Sequence, residues 1–130
     1  MFKIAELASL ANNMHHVAFG RVQGMSTRKG TVVFLQDILD TAQEQMLNNL
    51  KENSVKYSEL MSLGVQKDNR QLLGQEAVNA VADQLGTSAV IVQDLIAKRG
   101  KNYTFSYDRM TAARGYTGVY LQYTHARMCA

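Results

Sequence analysis

The chain has 130 residues, 46% of them hydrophobic, with 14 Lys and Arg against 11 Asp and Glu for a formal charge of +3. That length suits one domain burying about two thirds of its unfolded surface, no apolar run reaches the length of a bilayer span, and Met1 to Leu7 mixes charged with apolar groups, unlike a signal-peptide core. The charge permits a polyanionic partner without demanding one, the single Cys129 excludes an internal disulfide and suits a reducing compartment, and proline is absent where average usage would give roughly six, which favours helices.

Phe2, Ile4, Ala5, Leu7, Ala8, Leu10 and Ala11 recur at mixed helical spacing before Asn12 and Asn13, which predicts a short helix over residues 1–11. Val17 and Phe19 share a face with polar or small residues around them, as in a strand. His15 and His16, at the start of that strand, point to opposite faces and lack further ligands, so no metal site is expected. The strand feeds Gly24-Met25-Ser26-Thr27-Arg28-Lys29-Gly30, two glycines around two hydroxyls and two cations. Glycine lets backbone approach a ligand closely, the hydroxyls can donate to phosphate oxygens, and Arg28 and Lys29 bring positive charge. A polyphosphate is the guest that chemistry fits, and a solvated basic turn is the alternative.

Leu35, Ile38, Leu39, Ala42, Met46 and Leu50 then fall at helical spacing, a stripe read as core packing. Residues 53–69 lose that periodicity around Gly64 and mixed charge, and read as a connection or insertion. Val78, Val81, Ala82 and Leu85 mark a further helix closed by Gly86. Thr87 or Ser88 then caps a separate helix with an apolar face of Ile91, Val92, Leu95 and Ile96, ending near Lys98-Arg99-Gly100. Tyr103, Phe105 and Tyr107 alternate as in a short strand, and a loop through Gly115 and Gly118 leads to a last helix carrying Tyr120, Leu121, Tyr123 and Met128.

The run from His16 to Leu35, with Asp37-Ile38-Leu39 after it, closely resembles the region around the second signature loop of arginyl-tRNA synthetase of the eukaryotic and fungal type, the counterpart of KMSKS in class I aminoacyl-tRNA synthetases. A second block resembles the same family in the same order: Val90 to Leu95 with Lys98-Arg99, then Tyr103 to Met110, then Gly118 to Arg127. The resemblance implies an α/β, predominantly helical fold. Residues 1–53 would end a Rossmann-like catalytic domain with its KMSKS-type loop, 54–117 would form a connecting helical region, and 118–130 would start an anticodon-binding helical bundle. Together they would make up about a fifth of a full enzyme.

The implied function is ATP-dependent attachment of arginine to its tRNA, performed as part of a longer chain. Its partners would be the tRNA for arginine, ATP with Mg as substrate, and arginine, with no membrane; a larger assembly is a further implied partner. No cofactor is expected on this chain alone. The cytoplasm is the implied compartment, with mitochondria the alternative. Met25, Ser26, Thr27, Arg28 and Lys29 would form the catalytic loop, with Gly24, Met25, Ser26 and Lys29 meeting ATP. Cations that close over the phosphates only in the transition state accelerate adenylation more than cations held equally tightly throughout. Gln122, His125 and Arg127 would face the domain junction or tRNA.

No His-Ile-Gly-His sequence occurs in the chain, so it is expected not to adenylate by itself. The family pattern breaks at residues 112–119, which read Ala-Ala-Arg-Gly-Tyr-Thr-Gly-Val where the family typically has Ser-Phe-Glu-Gly-Asp-Thr-Gly-Pro, and Tyr107 replaces a tryptophan. A charge reversed at a buried junction costs several kcal/mol if its partner is kept. The alternative function is a non-catalytic RNA-binding or structural component derived from a truncated synthetase.

Overall fold

The computed structural model describes residues 14–24 and 34–130. The predicted helix over 1–11 and the loop residues Met25, Ser26, Thr27, Arg28 and Lys29 lie outside the described residues. Among the described residues nine elements follow one another: β1 (Val22–Gln23), α1 (Leu35–Glu52), α2 (Ser54–Leu63), β2 (Val65–Lys67), β3 (Arg70–Leu72), α3 (Gly74–Ile96), β4 (Tyr103–Thr104), α4 (Tyr107–Met110) and α5 (Gly118–Cys129). None of the described helices is long and apolar enough to cross a membrane.

Helix α1 forms where its apolar stripe requires it. The Asp37 carboxylate, three residues in, accepts the Phe34 N–H at 3.0 Å and satisfies a donor that the helix itself leaves free. Its stripe buries Ile38, Ala42 and Met46, the core role expected of it, while Leu35 at the first turn is exposed. The partner is α3, which presents Ala77, Val78, Ala82, Gly86 and Ala89. Small side chains on both helices let the two backbones close together, and Ala42 and Ala89 of that seam cluster with Met110 of α4.

The helix end expected at Gly86 is absent, because α3 runs unbroken for 23 residues. Gly86 is there for space: a Cβ would lie 2.9 Å from the Gln43 nitrogen and 3.0 Å from the Ala42 carbonyl carbon of α1. A mid-helix glycine costs about 1 kcal/mol relative to alanine, and the close helix contact offsets it. Ser88 is likewise no cap, since its hydroxyl donates back to the Gln84 carbonyl at 2.7 Å.

Residues 53–69, expected as a connection, carry α2 and half of a hairpin. Asn53 caps α2 by accepting the Lys56 N–H at 3.2 Å. Strands β2 and β3 pair antiparallel, Val65 with Leu72 and Lys67 with Arg70, around a two-residue turn in which Asp68 and Asn69 take φ values of 48° and 62°. Those are the left-handed conformations that Asp and Asn tolerate best after glycine.

The strand expected around Val17 and Phe19 is also corrected. Both side chains are exposed, at 53% and 81%, and the strand proper is only Val22–Gln23. It pairs parallel with β4, Val22 beside Tyr103 and Gln23 beside Thr104. The alternation read through Tyr107 likewise stops at Thr104. Tyr107 opens the single turn of α4, where Ser106 accepts the Arg109 N–H at 3.4 Å, and its ring meets the Phe105 ring edge-on at 4.8 Å.

Candidate functional site

The β1–β4 pair sets the position of Gly24, the first residue of the glycine-bounded stretch. Backbone bonds from the Tyr103 N–H to the Arg21 carbonyl (3.2 Å) and from the Phe105 N–H to the Gln23 carbonyl (3.1 Å) hold β1 against β4. The Gly20 N–H reaches the Arg99 carbonyl at 2.7 Å, and the Arg21 N–H reaches the Asn102 side-chain oxygen at the same distance. Eighty-one residues of chain thus return to fix the segment before the loop. Gly24 ends β1 with φ +94°, a conformation that L side chains rarely adopt, and it is exposed. A Cβ there would stand 3.9 Å from the Thr104 methyl, so β4 underlies the loop's root.

Beside that root lies a cavity of about 140 Å³ between the end of α3, β4, α4 and residues 116–117. Ala89, Ile96, Ala97 and Met110 are its apolar lining, and Thr104, Arg109 and Tyr116 are among its polar lining. Two further wall residues are engaged elsewhere. The Gln93 amide, oriented to satisfy both of its atoms, donates to the Ser106 carbonyl at 3.1 Å and accepts the Ser106 N–H at 3.0 Å. The Tyr103 hydroxyl donates to the Asp94 carboxylate at 2.7 Å. Burial, then the hydrogen bond and negative charge of Asp94, push the Tyr103 phenol up to about 12.

The sequence singled out Gln122, His125 and Arg127 on α5, and the structure gives them separate surroundings. Gln122 is half-buried and donates to the Ser88 hydroxyl of α3 at 2.9 Å, which ties the two helices. His125 and Arg127 are exposed. The His125 ring lies 3.5 Å from the Cys129 sulfur one turn on, and the Arg127 guanidinium donates to the Tyr123 hydroxyl at 3.3 Å. Tyr123 is flanked by two cations, with the Lys56 ammonium 5.7 Å and the Arg127 guanidinium 5.9 Å from its ring centroid. Among the described residues no group of three His, Cys, Asp or Glu side chains is placed to hold a metal.

The broken stretch at 112–119 sorts itself by burial. Arg114 and Tyr116, which replace acids in the family pattern, are exposed, so the penalty of a buried reversed charge does not arise. The retained Thr117 and Gly118 are buried. The Thr117 hydroxyl caps α5 by accepting the Tyr120 N–H at 3.1 Å and donates to the Ala112 carbonyl at 2.8 Å. At Gly118 a Cβ would run into the Ser88 carbonyl of α3. Helix α5 therefore docks through Thr117 and Gly118, two of the three residues that match, while the third, Gly115, is exposed. Sequence reasoning missed Thr104, Arg109 and Tyr116 as one group, because they come from three elements and share no spacing.

Comparisons with known proteins agree with this arrangement. The model of the family "tRNA synthetases class I (R), catalytic domain" matches residues 1–107. A probable cytoplasmic arginine–tRNA ligase of Dictyostelium discoideum is 47% identical over 118 residues, 91% of this chain and 18% of that protein. The mitochondrial arginine–tRNA ligase of Saccharomyces cerevisiae is 46% identical over the same length, 91% of this chain and 16% of its own. The crystal structure of arginyl-tRNA synthetase from Plasmodium falciparum superposes with a TM-score of 0.65 at 23% identity, over 95% of this chain and 19% of that one, a likeness of fold. The chain thus spans less than a fifth of the length of these relatives. With a family model that matches most of its length, the chain belongs to the class I tRNA synthetase (R) catalytic-domain family.

Proposed function

We propose that this chain performs the nucleotide-closing part of an arginine–tRNA ligase, in which arginine's carboxylate attacks the α-phosphate of ATP, pyrophosphate leaves, and the arginyl group passes to the tRNA for arginine. In that reading Met25, Ser26, Thr27, Arg28 and Lys29 close over the ATP tail, Mg accompanies ATP as substrate, and Gly24 is the hinge. The observation that carries the reading is the family match running through Gly24 to Gly30, joined to an exposed positive-φ glycine held on a two-strand footing. Residues 1–53 then belong to the nucleotide-binding domain, 54–117 to the connecting helices, and 118–130 to the entry of the anticodon-binding bundle. Relatives named for both the cytoplasm and mitochondria leave those two compartments as the candidates.

The test is ATP–pyrophosphate exchange, with arginine and tRNA present, by the Saccharomyces cerevisiae enzyme whose matching segment is replaced with this one. Exchange is expected to persist in the chimera and to fall about 10²–10³-fold on Lys29→Ala, the loss typical of a removed transition-state charge contact. The 130-residue chain alone is expected to give none, having no His-Ile-Gly-His sequence. A chimera that never exchanges, or that exchanges equally well with Arg28→Ala and Lys29→Ala combined, overturns the assignment.

A further inference from the structure

The β1–β4 pair is only two residues long on each side, so each bond at its ends carries much of its alignment. Its parallel ladder includes the bonds from the Phe105 N–H to the Gln23 carbonyl and from the Tyr103 N–H to the Arg21 carbonyl. In a regular parallel ladder the next bond toward the start of β1 would join the Arg21 N–H to the Lys101 carbonyl. Here the Lys101 carbonyl lies against Gly20, where a Cβ would collide with it, and the Lys101 N–H turns back to the Lys98 carbonyl at 2.8 Å. The Arg21 N–H donates instead to the Asn102 side-chain oxygen, at 2.7 Å. Arg21 is thereby gripped at both of its backbone polar atoms by consecutive residues, its N–H by Asn102 and its carbonyl by Tyr103.

We infer that Asn102 is a positioning residue for the phosphate-closing step: its side-chain oxygen replaces a main-chain rung and sets the direction in which β1 delivers the chain to Gly24. The inference rests on the nucleotide-closing reading proposed above. A main-chain carbonyl is supplied by any residue, whereas this acceptor is supplied by the side chain at 102, so the alignment of β1 depends on one residue's identity. Gly24, three residues after Arg21, takes φ +94° and turns the chain away from that fixed stem. Asn102 is exposed and adds nothing to the buried seam between α1 and α3, which separates alignment from stability. Groups that act only in the transition state are sensitive to where they start: a misplacement of about 1 Å far from the chemistry can cost about 10²-fold in rate. Ground-state binding of ATP, shared with the rest of the enzyme, depends on that placement much less.

The test is ATP–pyrophosphate exchange by the Saccharomyces cerevisiae chimera carrying Asn102→Leu or Asn102→Asp, with kcat and KM for ATP measured apart. Asn102→Leu keeps the approximate volume and removes the acceptor, and its kcat is expected to fall about 10- to 100-fold with KM for ATP within about threefold. Asn102→Asp keeps an oxygen to accept the Arg21 N–H and is expected to hold kcat within about threefold of the wild type. Hydrogen exchange of the Arg21 amide in the 130-residue chain reads the bond itself. Protection is expected in the wild type and in Asn102→Asp and is expected to be lost in Asn102→Leu, with one thermal midpoint for all three. Wild-type kcat in Asn102→Leu, a rise in KM at unchanged kcat, failure of Asn102→Asp to preserve activity, or equal protection of the Arg21 amide in all three overturns the inference. So does a loss of activity that tracks a lowered thermal midpoint. An unsubstituted chimera that never exchanges removes the nucleotide-closing reading and this inference with it, whereas an active chimera indifferent to Asn102→Leu removes this inference alone.

Discussion

Along α1 and α3 the contact is buried and continuous: Ile38, Ala42 and Met46 face Ala77, Val78, Ala82 and Ala89, and Gly86 brings the backbones together. Around β1 and β4 two pairs of residues suffice, side chains are mostly exposed, and the ties are backbone and amide hydrogen bonds. The first region converts apolar area into stability, at about 25 cal/mol per Å² removed from water. The second gains little from burial and instead fixes where Gly24 sits and where a cavity opens. A scaffold that holds itself together elsewhere leaves that edge free to carry polar groups.

The contrast breaks most easily at Met46, one of the largest fully buried side chains. Met46→Ala should destabilise the chain by about 2–5 kcal/mol, since it removes buried surface and leaves a cavity. Val22→Ala on the half-buried β1 should cost only about 1 kcal/mol. Urea denaturation of both variants measures the difference, and equal losses would mean that the β1–β4 edge carries as much of the fold as the helix seam.

Thr117 sharpens the comparison because it lies between the regions, buried beside the cavity and capping the helix that docks on α3. Thr117→Ala removes a cap and strands the Ala112 carbonyl, for an expected loss of about 1–2 kcal/mol. Thr117→Ser keeps the hydroxyl and should restore most of it. Both values are read from the thermal midpoint.

Gly86→Ala sets two effects against each other. Alanine favours the helix by about 1 kcal/mol, but its Cβ must displace the α1 backbone at Ala42 and Gln43, and overpacking of that kind costs about 1–3 kcal/mol. The expected net loss is about 1 kcal/mol; a stabilised variant would show that the helices can move apart freely.

The same residues explain what could be read in the sequence. Helix α1 was legible because its stripe is regular and its buried face is continuous. Gly86 misled because glycine serves both helix ends and close helix packing, and only the facing α1 backbone distinguishes them. Helix α2 was missed because it buries none of its ten residues fully and so has no periodic signature, although Asn53 marks its start. The hairpin turned on Asp68 and Asn69, a signal weaker than the Asn-Gly pair that usually announces one. The loop between Gly24 and Gly30 stood out through its residue types, whereas the cavity beside it is assembled from α3, β4, α4 and residues 116–117 and has no linear trace.

The smallest effect at neutral pH belongs to the edge, at Tyr103. Tyr103→Phe removes the hydrogen bond to Asp94 and, with that pair open to solvent, should cost about 0.5 kcal/mol. Alkali erodes that advantage of the wild type. The Tyr103 phenol is raised from 10.0 to about 12 in the folded chain, so folding favours its protonated form. That contribution is fully present below pH 10 and is lost as pH climbs from 10 to 12, where the unfolded chain ionises and the folded one resists. Subtracting the urea midpoint of Tyr103→Phe from that of the wild type across pH 8–12 isolates the residue from the other groups that titrate there. The difference should be flat below 10 and decline above it; a difference that stays flat throughout would mean that Asp94 and the walls of the cavity leave the phenol as open to water as an unfolded tyrosine.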